Sequence, residues 1–359
     1  MIISWNTELY IVSRKPGIDY KKSLELNEIK EFLETRRLSK SYDEYVKQNL
    51  LYFTENLDVL AKELNIEKIV PKGLYIMGIY GGEKKRGKKI YAGIALHEYR
   101  YDNIKFEFRL WNTRDRIIVP INLLKEYGIK VYKVIYMGEI NPFRLRRFID
   151  VILSDQGEAS LKQFLQRALK INVDRIARSE TIEMIKMLIE EVKQPNNIIK
   201  LDIDKHYIIY RCSRSFTAFA YRSQEPNVII ESHVAYAESE KEEIAYYYTA
   251  ILNYLAYKVI QSGKAFIRSQ FARPLFAVYM AGLAWKDIDD ATKDRVVELS
   301  KILHKKAPDK DYPNQKIALK DLERYSEFKE LVKLLDSKVD RENLDKALDM
   351  VSGGGAEEE

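Results

Sequence analysis

A chain of 359 residues, 46% hydrophobic and 32% charged, carries enough apolar material for one large or two medium cores, which excludes a disordered polypeptide. Its formal net charge of +6 suits a polyanionic partner but is far from that of a histone-like arm. The single cysteine, Cys212, excludes an intrachain disulfide and a multi-thiolate zinc site, and it points to a reducing, cytoplasmic compartment.

The opening segment MIISWNTELYIVSRK has no basic stretch followed by a long apolar run, so no signal peptide is expected. No apolar run approaches the roughly 20 residues of a membrane helix, so a membrane is not an expected partner. Abundant Lys, Glu, Ile and Tyr make the composition thermophile-like.

Residues 23–65 are expected to be mainly helical. Ser41 and Glu44 have capping-box spacing, and Val46, Leu50, Phe53, Leu57 and Leu60 follow at helical intervals up to Pro71. GLYIMGIY (73–80) and IYAGIAL (90–96) are strand-like and flank the tip GGEKKRGKK. IKFEFRLW (104–111) alternates Phe106, Phe108 and Leu110 with charged residues, and VYKVIYMG (131–138) is a further strand. Residues 143–193 are expected to be helical, in pieces broken near Gly157 and Asn172. Pro195-Asn196-Asn197 is the clearest boundary. Beyond it, HYIIYRC (206–212), SFTAFAY (215–221) and NVIIESHVAY (227–236) suggest a β-meander. A long helix from Glu242 to Ile260 follows, then two or more helices within 291–350. No repeat of 20–50 residues occurs.

These elements predict an α+β fold. It comprises an N-terminal α/β unit with antiparallel strands (1–142), a helical connector (143–197) and a β-rich unit with its long helix (198–290). C-terminal helices (291–350) and a disordered acidic tail (351–359) complete it.

Motifs for chemistry fail on particular residues. Gly82 to Lys89 approximates a phosphate-binding loop, but Lys89 stands where a Ser or Thr hydroxyl must reach magnesium, and strand-like sequence follows where a helix is required. The segment is better explained as a basic hairpin tip, a solvated loop or a phosphate contact made by Lys84, Lys85, Arg86, Lys88 and Lys89. Asn141-Pro142-Phe143 lacks the second proline of the adenine-methyltransferase signature and is judged accidental. Asp287, Asp289 and Asp290 precede a helix, where acidic residues favour the positive dipole end. His97, His206, His233 and His304 have no paired spacing, so no metal and no cofactor is expected. The chain is expected to lack catalytic machinery.

Arginines are more informative. Arg144, Arg146 and Arg147 begin an expected helix, and Arg167, Arg175 and Arg178 follow. The β-rich region adds Arg211, Arg214 and Arg222, interspersed with Ser213, Ser215 and Gln224. Arg and Gln contact base edges bidentately, whereas Ser and Lys hold phosphates.

Residues 205–350 contain NVIIESHVAYAES, then AYYYTAILNYLAYKVI, then FIRSQFARPL. This order resembles the target-recognition region of Taq-type and type IIG adenine-specific DNA methyltransferases, in which a β-rich module precedes a helix with an A-x-L-N core, here Ala250 to Asn253. Residues 1–200 carry neither methylase motif, so the resemblance implies a recognition module separated from its enzyme. It would be a specificity subunit of restriction–modification, or a protein recruited to chromosome organisation, replication control or defence.

The leading expectation is therefore non-catalytic binding of double-stranded DNA. The loops Arg211–Ser215 and Arg222–Gln224, with Arg268, Gln270 and Arg273, would form the surface, and the 82–89 tip an accessory contact. A metal-dependent nuclease built on Glu107 and the carboxylates at 287–290 is one alternative. Another is a scaffold that docks a protein partner through its C-terminal helices.

Overall fold

The computed structural model describes residues 2–3, 9–10, 56–71, 73, 94–110, 113–192, 198, 200–267 and 271–353. The expected helices before residue 56, apart from the short pair β1 (Ile2–Ile3) and β2 (Leu9–Tyr10), lie outside these residues, as do the strand 74–80 and the 82–89 tip. The architecture is α+β, as the pattern of elements predicts.

Helix α1 (Leu57–Glu63) leads into β3 (Lys68–Val70). The alternation in 104–111 folds as expected: β4 (Ile94–Tyr101) and β5 (Lys105–Leu110) pair antiparallel, with Phe106, Phe108 and Leu110 turned inward. Strand β6 (Ile117–Pro120), helix α2 (Ile121–Glu126) and β7 (Ile129–Ile135) come next.

The expected connector differs most from the structure. Residues 140–154 form a small hairpin, β8 (Ile140–Asn141) with β9 (Arg144–Leu145), and then β10 (Ile149–Ser154). Among the described residues of the connector, only α3 (Glu158–Asn172) and α4 (Ser179–Glu191) are helical, so Arg144, Arg146 and Arg147 do not begin a helix. Strand β10 lies between β7 and β4 with Val151 and Leu153 buried on one face and Ile152 on the other. A strand covered on both faces is a near-continuous apolar run, which period-two reasoning does not separate from a buried helix.

The expected meander is also interrupted. Strands β11 (His206–Arg211), β12 (Ala218–Arg222) and β14 (Val234–Ser239) share a four-stranded antiparallel sheet, ordered β12-β11-β14-β3. Between them β13 (Val228–Ile230) departs to pair in parallel with β7, completing a six-stranded sheet ordered β13-β7-β10-β4-β5-β6. Among the described residues, each sheet thus takes an edge strand from the other side of Pro195. The boundaries expected at 142 and 197 do not separate the two sheets.

Leu161, Phe164 and Leu165 of α3 and Ile185 and Leu188 of α4 cover Phe106, Phe108 and Ile152. The four-stranded sheet packs Tyr207, Ile209, Phe219 and Tyr236 against Ile135, Val228 and Ile230, and turns Ile208, Tyr210, Ala235 and Ala237 toward α5 (Glu242–Gln261). Helix α5 is buried almost all round, as apolar and aromatic residues on every side of it require, with Thr249 and Asn253 buried among them. Around it stand α6 (Arg273–Met280), α7 (Asp290–Lys306), α8 (Gln315–Asp321), α9 (Ser326–Asp336) and α10 (Arg341–Val351). The side chains of Asp289, Asn314 and Asp340 each accept a backbone N–H and start α7, α8 and α10.

Strand β15 (Ala265–Phe266) pairs with β16 (Ser352–Gly353). Residues 351–353 are therefore built into the fold rather than the expected disordered tail, and 354–359 lie outside the described residues.

Candidate nucleic-acid interface

The β8–β9 hairpin turns through Pro142 and Phe143, with Phe143 in left-handed backbone at φ 62°. For a bulky residue this costs about 1 kcal/mol. Burial offsets it: the ring stands edge-on to His304 at 5.4 Å and to Phe328 at 6.4 Å, and the N–H donates to Ala218 O at 2.8 Å. Asn141 Nδ2 donates to Lys310 O at 2.9 Å. The Asn-Pro-Phe segment is thus a packing corner between a sheet and the C-terminal helices.

This corner carries three arginines. Arg144 Nη1 donates to Ala307 O at 3.1 Å, and its Nη2 lies 3.4 Å from Asp309. Arg146 reaches Asp311 at 2.9 Å, and buried Glu139 sits between Arg146 (3.5 Å) and Arg147 (3.3 Å).

Beside it lies the end of β11. Arg211 is only 8% exposed, and its Nη1 donates to Ile140 O at 3.5 Å. Its Nε has no acceptor, and no described carboxylate pairs with it. Burial pulls the guanidinium down to about 10, the Tyr136 phenol opposes that shift, and the positive charge of Arg214 adds to it. Arg211 therefore stays charged at neutral pH. Arg214 is exposed, with φ 61°. Burial pushes the Tyr136 phenol up, against the pull of Arg211. Arg144, Arg146 and Arg147 thus meet three carboxylates, Glu139, Asp309 and Asp311, while Arg211 and Arg214, from a segment more than sixty residues away, add two guanidinium groups with no carboxylate partner among the described residues.

The other expected contacts are not gathered here. Arg222 pairs with His206 at the far end of the β11–β12 hairpin, five residues from Arg211, a separation of about 17 Å along the strand. Arg222 holds Asp204 at 3.0 Å, and Gln224 is exposed nearby. The loops 211–215 and 222–224 therefore present two surfaces. Ser213 is half-buried next to Arg214, and Ser215 is buried with its Oγ 3.4 Å from Thr217 Oγ1. Arg273 begins α6, half-buried, with its pKa lowered by burial. Arg167, Arg175 and Arg178 are exposed on or beside α3 and α4. Lys84, Lys85, Arg86, Lys88, Lys89, Arg268 and Gln270 lie outside the described residues.

Of the carboxylates considered for a nuclease, Glu107, Asp289 and Asp290 have partners. Glu107 binds Arg116 at 2.8 Å, and Asp289 caps α7 and binds Lys338 at 2.9 Å, which holds its carboxyl well below the usual range. Glu107 and Asp289 belong to elements around different cores. Among the described residues no three His, Cys, Asp or Glu side chains gather as a metal site.

Two further polar sites escape sequence reasoning. Buried Glu231 accepts from Ser232 Oγ at 3.0 Å and lies 3.0 Å from His233 Nδ1. Asp150, on central strand β10, has its carboxyl pushed up to about 6 by burial, against the pull of Lys133, which is itself paired with Glu225. A lone Asp inside the apolar run FIDVILS is the signal that could have exposed it.

No family model matches the chain, and no curated protein or solved structure matches it. No helix among the described residues is long and apolar enough to cross a membrane.

Proposed function

We propose that the protein binds nucleic acid, duplex DNA in the first instance, through the arginine cluster at 144–147 and 211–214 and without a chemical step of its own. The observation that carries this reading is the surplus of guanidinium groups over carboxylates where β8–β9 meets the end of β11. Exposed Arg147 and Arg214 suit phosphate oxygens, a sequence-independent and salt-sensitive contact. The resemblance of 205–350 to target-recognition regions adds a sequence preference. Arg222 and Gln224, at the other end of the hairpin, would be a second contact on the same duplex. A cytoplasmic setting belongs to the same proposal, since the chain has one cysteine, the buried Cys212, and so no intrachain disulfide.

Mobility-shift titration against random and enriched duplexes at two salt concentrations tests it. Submicromolar affinity that falls steeply with salt is the expected result. Affinity no better than about micromolar at low salt rejects it, and Mg²⁺- or Mn²⁺-dependent cleavage of the bound duplex replaces it with a nuclease.

One observation favours a second reading. A cavity of about 270 Å³ between α5 and α9 is lined by Tyr257, Phe328 and Val332, with Glu323, Asp336, Lys329 and Lys333 at its sides. Its mixture of apolar wall and both charges suits a protein side chain. A pull-down that survives nuclease treatment, together with failed DNA binding, would favour the scaffold.

A further inference from the structure

We infer that Arg211 receives a terminal phosphate, so that the arginine cluster engages the end of a nucleic-acid strand rather than only its side. This deepens the proposed nucleic-acid binding and rests on it.

A guanidinium carries five N–H groups in a planar fork. In Arg211 one of them, on Nη1, meets a protein acceptor, Ile140 O, at the 3.5 Å edge of hydrogen-bond distance. Nε is shielded from solvent and has no acceptor. Arg144, Arg146, Arg147 and Arg222 each have a carboxylate within 3.5 Å, and Arg211 has none among the described residues. A buried cation without a counter-charge is costly, and an anion that reaches it recovers both the charge pairing and the unused donors.

Shape then selects the anion. Arg211 is 8% exposed, whereas Arg147 and Arg214 stand at the surface. An internal phosphodiester is flanked by two sugars, which meet the outer arginines before its oxygens reach a recessed group. A terminal phosphomonoester projects from the strand, carries up to two negative charges and offers three oxygens to the fork. Arg147 and Arg214 would then hold the following diester. Tyr136, whose phenol burial keeps protonated, is close enough to Arg211 to interact with its charge and adds no negative charge that would repel the phosphate.

The test compares matched linear duplexes bearing 5′-phosphate, 3′-phosphate or only hydroxyl ends, with a closed circular duplex, inorganic phosphate and a nucleoside monophosphate as competitors, by fluorescence anisotropy at low salt. One type of phosphorylated end should bind about tenfold more tightly than the hydroxyl end, the worth of one charge-assisted hydrogen bond. That preference should vanish in Arg211→Gln and persist in part in Arg211→Lys, while Arg214→Ala should weaken all the duplexes alike. Equal binding of phosphorylated and hydroxyl ends, or a circle that competes as well as a linear duplex, overturns the inference and leaves nucleic-acid binding standing. Failure of every duplex to bind overturns both. Inorganic phosphate or the nucleotide competing with no preference among duplex ends shows a small-anion site instead and also overturns it. The comparison of ends uses the unmodified protein, so it stands even if the Arg211 variants fail to fold.

Discussion

The side-chain amide of Asn253 pairs with the backbone of Ala218 in both directions: Ala218 N–H donates to Oδ1 at 3.0 Å, and Nδ2 donates to Ala218 O at 2.9 Å. The amide of a helical residue thereby acts as the missing neighbour of edge strand β12. Asn172, at the end of α3, does the same for Ile118 of edge strand β6, at 2.9 and 2.8 Å. Asn253 is the asparagine of the Ala250–Asn253 core, and its packing role accounts for it without any nucleic-acid contact.

Asn253→Ala should therefore destabilise the fold by about 2–3 kcal/mol, because the buried Ala218 N–H loses its acceptor where water does not reach, while Ala218 O keeps the Phe143 N–H. Asn172→Ala should cost less, about 1–2 kcal/mol, because Ile118 is half-buried and water can substitute. Urea unfolding of both variants measures the difference. Equal losses at the two sites would contradict the role of burial.

His304 provides a pH-dependent prediction. Its Nε2 accepts from Ala220 N–H at 2.8 Å, its Nδ1 bonds Ser300 O at 2.8 Å, and Phe143 and Tyr246 enclose the ring. Burial lowers its pKa from 6.5 to about 4. The unfolded chain therefore binds this proton first as pH falls. Stability contributed by neutral His304 is fully present above about 6.5 and is lost between there and about 4. The residue retains some surface, so the loss should be about 2 kcal/mol rather than the full linkage value. His304→Gln should flatten the urea midpoint over that interval. An unchanged pH profile would show that the imidazole is not the titrating group.

Asp150 has the opposite sign. Its folded pKa of about 6 lies above its ordinary 3.8, so the folded chain holds the proton more tightly. Stability linked to it is present below about 4 and declines as pH rises through about 6. Asp150→Asn should stabilise the protein at pH 7 by about 1–2 kcal/mol, a value reduced for partial exposure, and should be neutral at pH 4. Denaturation at the two pH values decides it, and destabilisation at pH 7 would mean that Lys133 depends on the carboxylate.

For the proposed interface, Arg147→Ala and Arg214→Ala should each weaken duplex binding and reduce the slope of log affinity against log salt by about one; the urea midpoint should hold in Arg214→Ala and fall in Arg147→Ala, which removes one of the two partners of buried Glu139. Arg222→Ala, at the other end of the hairpin, separates one contact surface from two. Loss of affinity there requires a duplex that spans both ends of β11.

Legibility followed the range of the signal. Strand β5 was readable because Lys105–Leu110 alternates, and α5 because its apolar residues extend over five turns. Strand β10 was not, since burial on both faces removes the alternation that marks a strand. Strand β13 was visible as a strand, but its departure to pair with β7 was not, because nothing local distinguishes a meander from a parallel crossover. Of the interface, the arginine-rich loops were legible and their grouping was not.

By itself the sequence determined elements with a clear period such as β5 and α5, the α+β class and the modest positive charge, because periodicity and composition are properties of neighbouring residues. Only the tertiary structure decided that Arg211 is buried with no carboxylate partner among the described residues, that Arg144–Arg147 stand beside it, and that Arg222 faces elsewhere. Those outcomes depend on strand register and on contacts between residues far apart in the chain, and a guanidinium's cost or use is set by what surrounds it after folding.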